Sequence, residues 1–304
     1  MKCSKCLEKA IFNDPKFCKE HFISNVESIF RKTVEKYKLF SKKDKIVVAC
    51  SGGKDSLSLL YLCNKFYHAE ALAVDEGISG YRENTLKDFV NFCKKHKVKY
   101  NIISYKDEFG FTLDEMLKIL DTKPCSICGV FRRYMLNKHS KKYDIIATGH
   151  NMDDEVQSIV MNFLNGNVQL FARLGPKSGL QESEEFVQRV KPFYFLSEKE
   201  ILAYSYLMNF DLEFSECPNA IQSFRANVRD SLNKVKNERE VKQNIVNNFL
   251  KILPKLKKEA KKQKYEIKKC AKCKEPSQRE ICNACVILDK LKQPLIQIKS
   301  DNFK

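Results

Sequence analysis

The chain has 304 residues, about two domains at roughly 150 residues each. Lys and Arg number 55 against 38 Asp and Glu, a formal net charge of +17, with 43% of residues hydrophobic and 31% charged. That composition supports a packed core and excludes an acidic disordered chain. No apolar run approaches the ~18 residues of a membrane span. Met1 leads straight into Lys2-Cys3-Ser4-Lys5-Cys6 without an apolar leader, so a cytoplasmic protein with no membrane partner is expected. The positive surplus favours a polyanionic partner.

Thirteen cysteines in a reducing compartment read as metal ligands or redox groups rather than as a disulfide framework. Cys3-x2-Cys6 is separated by eleven residues from Cys18-x2-His21, which supplies four ligands of the kind tetrahedral zinc takes. This knuckle (residues 1–24) leads into a helix predicted over Asn25–Leu39 and a short linker, Ser41-Lys42-Lys43-Asp44, closing a segment 25–44. A catalytic domain is expected over 45–232. It opens with Lys45–Cys50, a short valine-rich run typical of a buried strand. Ser51-Gly52-Gly53-Lys54-Asp55-Ser56 follows, and then an apolar-periodic helix from Leu57.

Strand, glycine turn and helix N-terminus together make an anion site. Glycines let backbone N–H groups approach an oxyanion, and the helix dipole favours negative charge. Lys54 adds a full charge, Ser51 and Ser56 can donate, and Asp55 caps the helix or holds magnesium. The Walker A pattern cannot be laid over this stretch. It resembles instead the PP-loop of the ATP pyrophosphatase family, with signature SGGxDS.

Further strands are predicted over Glu70–Asp75, Tyr100–Tyr105, Asp144–Thr148 and Phe186–Val190, with helices near 84–96, 111–120, 130–141 and 152–164. This alternation predicts a doubly wound sheet whose ligands lie at the carboxyl ends of its strands. Asp75-Glu76-Gly77 and Thr148-Gly149-His150-Asn151-Met152-Asp153-Asp154 lie there too. Asp153 and Asp154 fall in a first helical turn, where they offset the dipole or serve as magnesium or acid–base groups, with Asp154 favoured. Cys50, Cys63 and Cys93 fit core positions. The stretch Asn165–Gly179 reads as a long loop.

Cys125-x2-Cys128 sits between Pro124 and Gly129, which predicts a turn. With Cys217 it makes three thiols, one short of a closed site. Zinc with a water, a 4Fe–4S cluster with one open iron, and a redox-active Cys125/Cys128 pair all fit. Arg225 and Arg229 lie four apart on a predicted helix that could position RNA. Residues 233–269 are lysine-dense with periodic apolar positions, a basic helical RNA-binding segment. Cys270-x2-Cys273 and Cys282-x2-Cys285, eight residues apart, make a second closed zinc set within 270–304.

The PP-loop, the Thr148–Asp154 segment, the three thiols and the paired knuckles together resemble the tRNA 2-thiouridine synthetases of the TtcA/TtuA type, and within them the TtuA branch. The resemblance runs from Cys3 to Cys285. It implies an α/β fold: a parallel-sheet, Rossmann-like PP-loop domain of the adenine nucleotide alpha hydrolase kind, flanked by N- and C-terminal zinc modules. It implies a 4Fe–4S cluster on Cys125, Cys128 and Cys217, two zinc ions, ATP and magnesium. It implies nucleotide contacts from Ala49, Ser51, Gly52, Gly53, Lys54, Asp55, Ser56, Asp75, Arg132, Gly149 and Asp154. The three thiols, Lys54, Asp55, Asp154 and Arg132 are then the catalytic set. Arg132 stands where some relatives carry lysine, and arginine stays charged.

The implied chemistry is adenylation of a uridine O2 with pyrophosphate release, then sulfur attack at C2 with loss of AMP. Hydrosulfide on the open iron and a persulfide on Cys125 or Cys128 are the two sulfur routes. The partners implied are tRNA, a sulfur donor (sulfide, a persulfide carrier or a ubiquitin-like thiocarboxylate protein) and a second copy in a homodimer. The target is the wobble uridine or position 54. Two other readings fit fewer residues: a PP-loop adenylating tRNA-modifying enzyme of other chemistry, and an ATP-sensing tRNA-binding scaffold.

Overall fold

The computed structural model describes residues 1–180, 185–210, 212, 216–220, 224–262 and 267–301. Stretches 263–266 of the basic segment and 302–304 of the tail lie outside them. The chain opens with a two-residue hairpin, β1 (Phe12–Asn13) and β2 (Lys16–Phe17), then α1 (Lys19–Lys36). The order β3 (Ile46–Cys50), α2 (Lys54–Tyr67), β4 (Ala69–Asp75), α3 (Arg82–Lys95), β5 (Tyr100–Ser104) follows. Next come α4 (Tyr105–Phe109), α5 (Leu113–Ile119), α6 (Pro124–His139), β6 (Ile145–Thr148), α7 (Met152–Leu164), α8 (Val168–Phe171), β7 (Gln188–Val190) and α9 (Glu198–Leu207). A 3-10 turn (Pro218–Ala220), α10 (Phe224–Asn233), α11 (Glu238–Lys262), the hairpin β8 (Lys268–Lys269) and β9 (Pro276–Ser277), and α12 (Asn283–Asp301) complete it.

The five central strands are parallel in the order β5-β4-β3-β6-β7. The first strand of this sheet in chain order, β3, has neighbours wound out in both directions. The topological switch point therefore falls between β3 and β6, where such sheets open a crevice. Register places Cys50 opposite Ala73 on one side and Ala49 opposite Thr148 on the other, so the segments after β3, β4 and β6 emerge at one rim.

Side chains alternate across β3 as a strand requires. Ile46 and Val48 face a core with Phe22 and Phe30 of α1, Leu57 and Leu59 of α2, and Phe89 of α3. Val47 faces the opposite core, with Phe109 of α4, Met116 of α5 and Phe131 of α6. Each terminal knuckle belongs to one face: Cys3 and Cys18 to the first core, Cys270, Cys282 and Cys285 to the second. Cys50, Cys63 and Cys93 are buried core thiols. No helix among the described residues is long and apolar enough to cross a membrane.

Three local expectations change. The Cys125/Cys128 pair is not in a turn; it opens α6, with Pro124 at the first helical positions. There its missing N–H costs nothing and its fixed φ suits the helix, so proline starts this helix instead of breaking the chain. Tyr105 leaves the strand and begins α4, because Ser104 accepts from the Asp107 N–H and caps that helix. The Asn165–Gly179 stretch holds a one-turn helix, α8, capped by Asn167.

In the basic segment Lys242 turns inward. It is 5% exposed and meets Asp153 of α7 at 2.6 Å, fastening α11 to the helix that borders the site. Replacing Lys242 with alanine strands Asp153 as a buried charge. The expected cost is about 3–5 kcal/mol, read by urea unfolding, with much of it recovered when Asp153→Asn is added.

Candidate active site

The glycine turn connects β3 to α2. Gly52 has φ +91°, and a Cβ there would lie 2.1 Å from the Thr85 carbonyl oxygen, so only glycine fits. Gly53 is the N-cap of α2 and offers no side-chain cap. The first N–H groups of α2 are thus left for a ligand. Inside the turn the Ser56 hydroxyl donates to the Gly53 carbonyl at 3.0 Å and accepts from the Ser51 N–H at 3.2 Å. Lys54 Nζ lies 3.1 Å from Asp55 and 2.9 Å from Glu198 at the start of α9.

The segment after β6 closes on this turn. A Cβ on Gly149 would lie 2.9 Å from the Asp55 carbonyl carbon and the Ser56 nitrogen. Asn151 Nδ2 donates to Asp55 Oδ1 at 3.1 Å. Asn151 also caps α7, and Asp154 returns the bond to the Asn151 N–H, each at 3.1 Å. The two candidate acids separate here. Asp153 is committed to Lys242 and to the Glu198 N–H. Asp154 stays at the rim, with Arg225 3.6 Å away. Arg225 also donates to Gln157 at 3.3 Å and Ser158 at 3.2 Å, so it lies along α7, while Arg229 faces Glu216 at 3.6 Å.

Glu76, marked by its place after β4, and Arg82, which sequence patterns did not mark, tie these pieces together. Arg82, 3% exposed, donates to the Ser51 carbonyl of the turn and to the Val74 carbonyl at 2.6 Å, and its Nε lies 3.0 Å from Glu76. Glu76, 7% exposed, has its other oxygen 3.9 Å from Arg132 of α6. Asp75, beside it, accepts from the Gly77 N–H at 2.9 Å and shapes its own turn. The signal for Glu76 was its place at the end of β4. For Arg82 there was none, because its partners lie up to 31 residues away.

Arg132 stands one helical turn after Cys128. Cys125 is exposed and its Sγ donates to the Asn219 carbonyl at 3.6 Å, in the turn that follows Cys217. Tyr105, fully buried, donates to the Cys128 carbonyl at 2.9 Å and supports the start of α6. Burial pushes the Cys128 thiol up, opposed by Arg132 and reinforced by Glu76 and Cys217. Burial likewise raises Cys217, opposed by the Asn219 backbone and reinforced by Cys125. The three thiols thus share one locality at the rim that carries the glycine turn.

The terminal sets are tighter: each holds four ligand atoms within 4.8 Å of one another. Cys6 and Cys18 sulfurs are 3.7 Å apart, Cys273 and Cys282 3.6 Å. His21 Nδ1 lies 3.5 Å from Cys3 and 3.2 Å from Cys18. Zinc–sulfur bonds of ~2.3 Å in a tetrahedron set sulfur–sulfur edges near ~3.8 Å, so both sets fit that ion.

A model described as "PP-loop domain" matches residues 19–236. The chain is 35% identical to the tRNA-5-methyluridine(54) 2-sulfurtransferase of Pyrococcus horikoshii, across 94% of this chain and 93% of that one. The chain belongs to the PP-loop tRNA 2-thiolation sulfurtransferases. It is 32% identical to the cytoplasmic tRNA 2-thiolation protein 1 of Saccharomyces cerevisiae, over 99% of this chain and 89% of that one. A solved relative is the U34-tRNA thiolase NcsA of Methanococcus maripaludis with its [4Fe-4S] cluster. The match has TM-score 0.74 and 37% identity, over 84% and 88% of the two chains.

Among the acids of this sulfurtransferase site, Asp154 carries a large shift. Burial, partly offset by the Asn151 N–H and Arg225, raises Asp154 to about 6, with Asp55 adding to the shift. An acid whose folded pKa lies above its unfolded one takes up a proton on folding. Its contribution to stability is therefore present at low pH and is lost as pH rises from about 4 to 6. The difference in unfolding free energy between the natural chain and Asp154→Asn should shift by about 1–2 kcal/mol across that window, allowing for partial exposure. Urea unfolding at stepped pH measures it.

Proposed function

We propose that the chain is an ATP-dependent tRNA uridine 2-sulfurtransferase that adenylates uridine O2, releases pyrophosphate, and replaces the oxygen with sulfur. The observation carrying this reading is the placement of three thiols on the rim that holds an uncapped glycine turn, joined to it by Glu76 and Arg82. The named activities of the relatives support it, and the cytoplasm is the proposed site of action.

In this proposal the free N–H groups of α2 and Lys54 receive the departing pyrophosphate and stabilise its charge. Lys54 must leave Glu198 for the phosphates. Ala49, Asp75 and Gly149 line the nucleotide, with Gly149 flat against the turn. Asp55 and Asp154 are the hard oxygen ligands that would hold magnesium. Arg132 keeps a permanent positive charge beside the thiols and opposes the negative charge of the phosphate on the O2-adenylated uridine.

Cys125, Cys128 and Cys217 fit a 4Fe–4S cluster: three soft donors, one exposed and two half-buried, without a fourth cysteine near them among the described residues. When bound, such a cluster supplies one iron open to a small sulfur ligand such as hydrosulfide. The two terminal sets have no open ligand position and would hold zinc as structural sites that fasten the chain ends to the sheet.

The test is a reaction of anaerobically purified protein with ATP, sulfide and an unmodified tRNA transcript. AMP, pyrophosphate and 2-thiouridine should form together and require tRNA. Release of ADP, or no nucleotide turnover, would favour a tRNA-binding scaffold.

A further inference from the structure

A cavity of about 1220 Å³ lies apart from the glycine turn, between α6, the edge strand β7 and the C-terminal knuckle. It exceeds the roughly 300–1,000 Å³ of a small-molecule pocket, so it has room for a segment of a polymer. Among the described residues its charged lining is Arg133, Arg173, Arg189, Lys261 and Arg279 against Glu275. Glu275 is already held by Lys141 at 2.5 Å.

Two of these arginines lie side by side, and Arg189 is tethered to the other's backbone. Arg189 Nη2 donates to the Arg133 carbonyl at 3.0 Å, tying β7 to α6. Gly129 leaves room for the Arg133 guanidinium, whose Nη1 would lie 3.1 Å from a Cβ there. No carboxylate offsets either arginine among the described residues. Burial in the groove and the neighbouring arginines lower both, Arg189 to about 10. Crowded guanidinium groups without acids are completed by an outside anion, and their planar fork matches phosphate oxygens.

Position supplies the rest. Arg132 faces Glu76 at the thiol site, and the next residue, Arg133, lines the cavity. The groove and the thiol site thus share helix α6. Its outer wall is Ser277, Gln278 and Arg279 of the knuckle, with Arg279 exposed.

We propose that this groove binds the sugar-phosphate backbone of the RNA flanking the target nucleotide, with Arg133 and Arg189 as phosphate sites and Arg279 closing the outer wall. The proposal rests on the thiolation reading and assigns the second knuckle a share in RNA binding. An acidic protein as occupant is the alternative that the experiment rejects or favours.

The experiment measures binding of an unmodified tRNA transcript to the full-length, metal-loaded protein across a salt series. Arg133→Gln, Arg189→Gln and Arg279→Gln should each weaken binding about three- to tenfold and flatten the log K against log[salt] slope by about 0.7–0.9. Affinity for a non-hydrolysable ATP analogue should not change. A Lys42→Gln/Lys43→Gln control on the exposed linker should keep the natural slope. Arginine variants that melt at the natural temperature and bind tRNA with unchanged affinity and slope would overturn the groove and favour a protein occupant. So would a lysine control that loses as much as they do. If the unsubstituted protein bound no tRNA, the thiolation reading itself would fall, which separates the two failures.

Discussion

Arg82 holds the site together. Its guanidinium reaches the carbonyl of Ser51 in the glycine turn, the carbonyl of Val74 at the end of β4, and the carboxylate of Glu76. Glu76 in turn faces Arg132, one turn beyond Cys128. A buried arginine in this position is compensated by the Glu76 carboxylate beside its Nε and by hydrogen bonds from both of its Nη groups. Take away Glu76, and a positive charge is stranded beneath the nucleotide loop. Take away Arg82, and the loop loses its tie to the strand while Glu76 is left buried. The glycine turn and the helix that carries Cys125 and Cys128 are thus parts of one electrostatic unit.

That unit sits on a sheet clamped from both faces. The N-terminal ligand set belongs to the core of α1, α2 and α3, and the C-terminal set to the core of α4, α5 and α6. The ends of the chain thus help fill the two cores, and ordering them is part of ordering the fold. Lys242 does similar work on the third side by holding α11 to α7 through Asp153. Asp154, one residue on, is spared that duty and keeps its carboxylate at the rim.

Much of this could be read from the residues. The parallel sheet and the glycine turn follow from short runs rich in Val, Ile and Ala separated by amphipathic helices, most plainly at the buried central strand β3. Both closed ligand sets follow from paired x2 spacing. The start of α6 differs from the turn that Pro124 and Gly129 predict, because proline fits the first helical turn as well as it fits a loop. Arg82 and Lys242 were invisible for a common reason: each is a charged residue whose meaning comes from a partner distant in sequence, 31 residues away for the Ser51 carbonyl and 89 for Asp153. The capping residues Asn151 and Ser104 were local, and a closer reading of side-chain oxygens before helices reaches them.

The central claim is that nucleotide activation and sulfur delivery use separate residues of one site. The direct measurement is single-turnover nucleoside mass spectrometry on Cys217→Ser, with ATP-analogue affinity determined on the same preparation. The account predicts natural nucleotide affinity and no 2-thiouridine. Thiolation at the natural rate by this variant would contradict it.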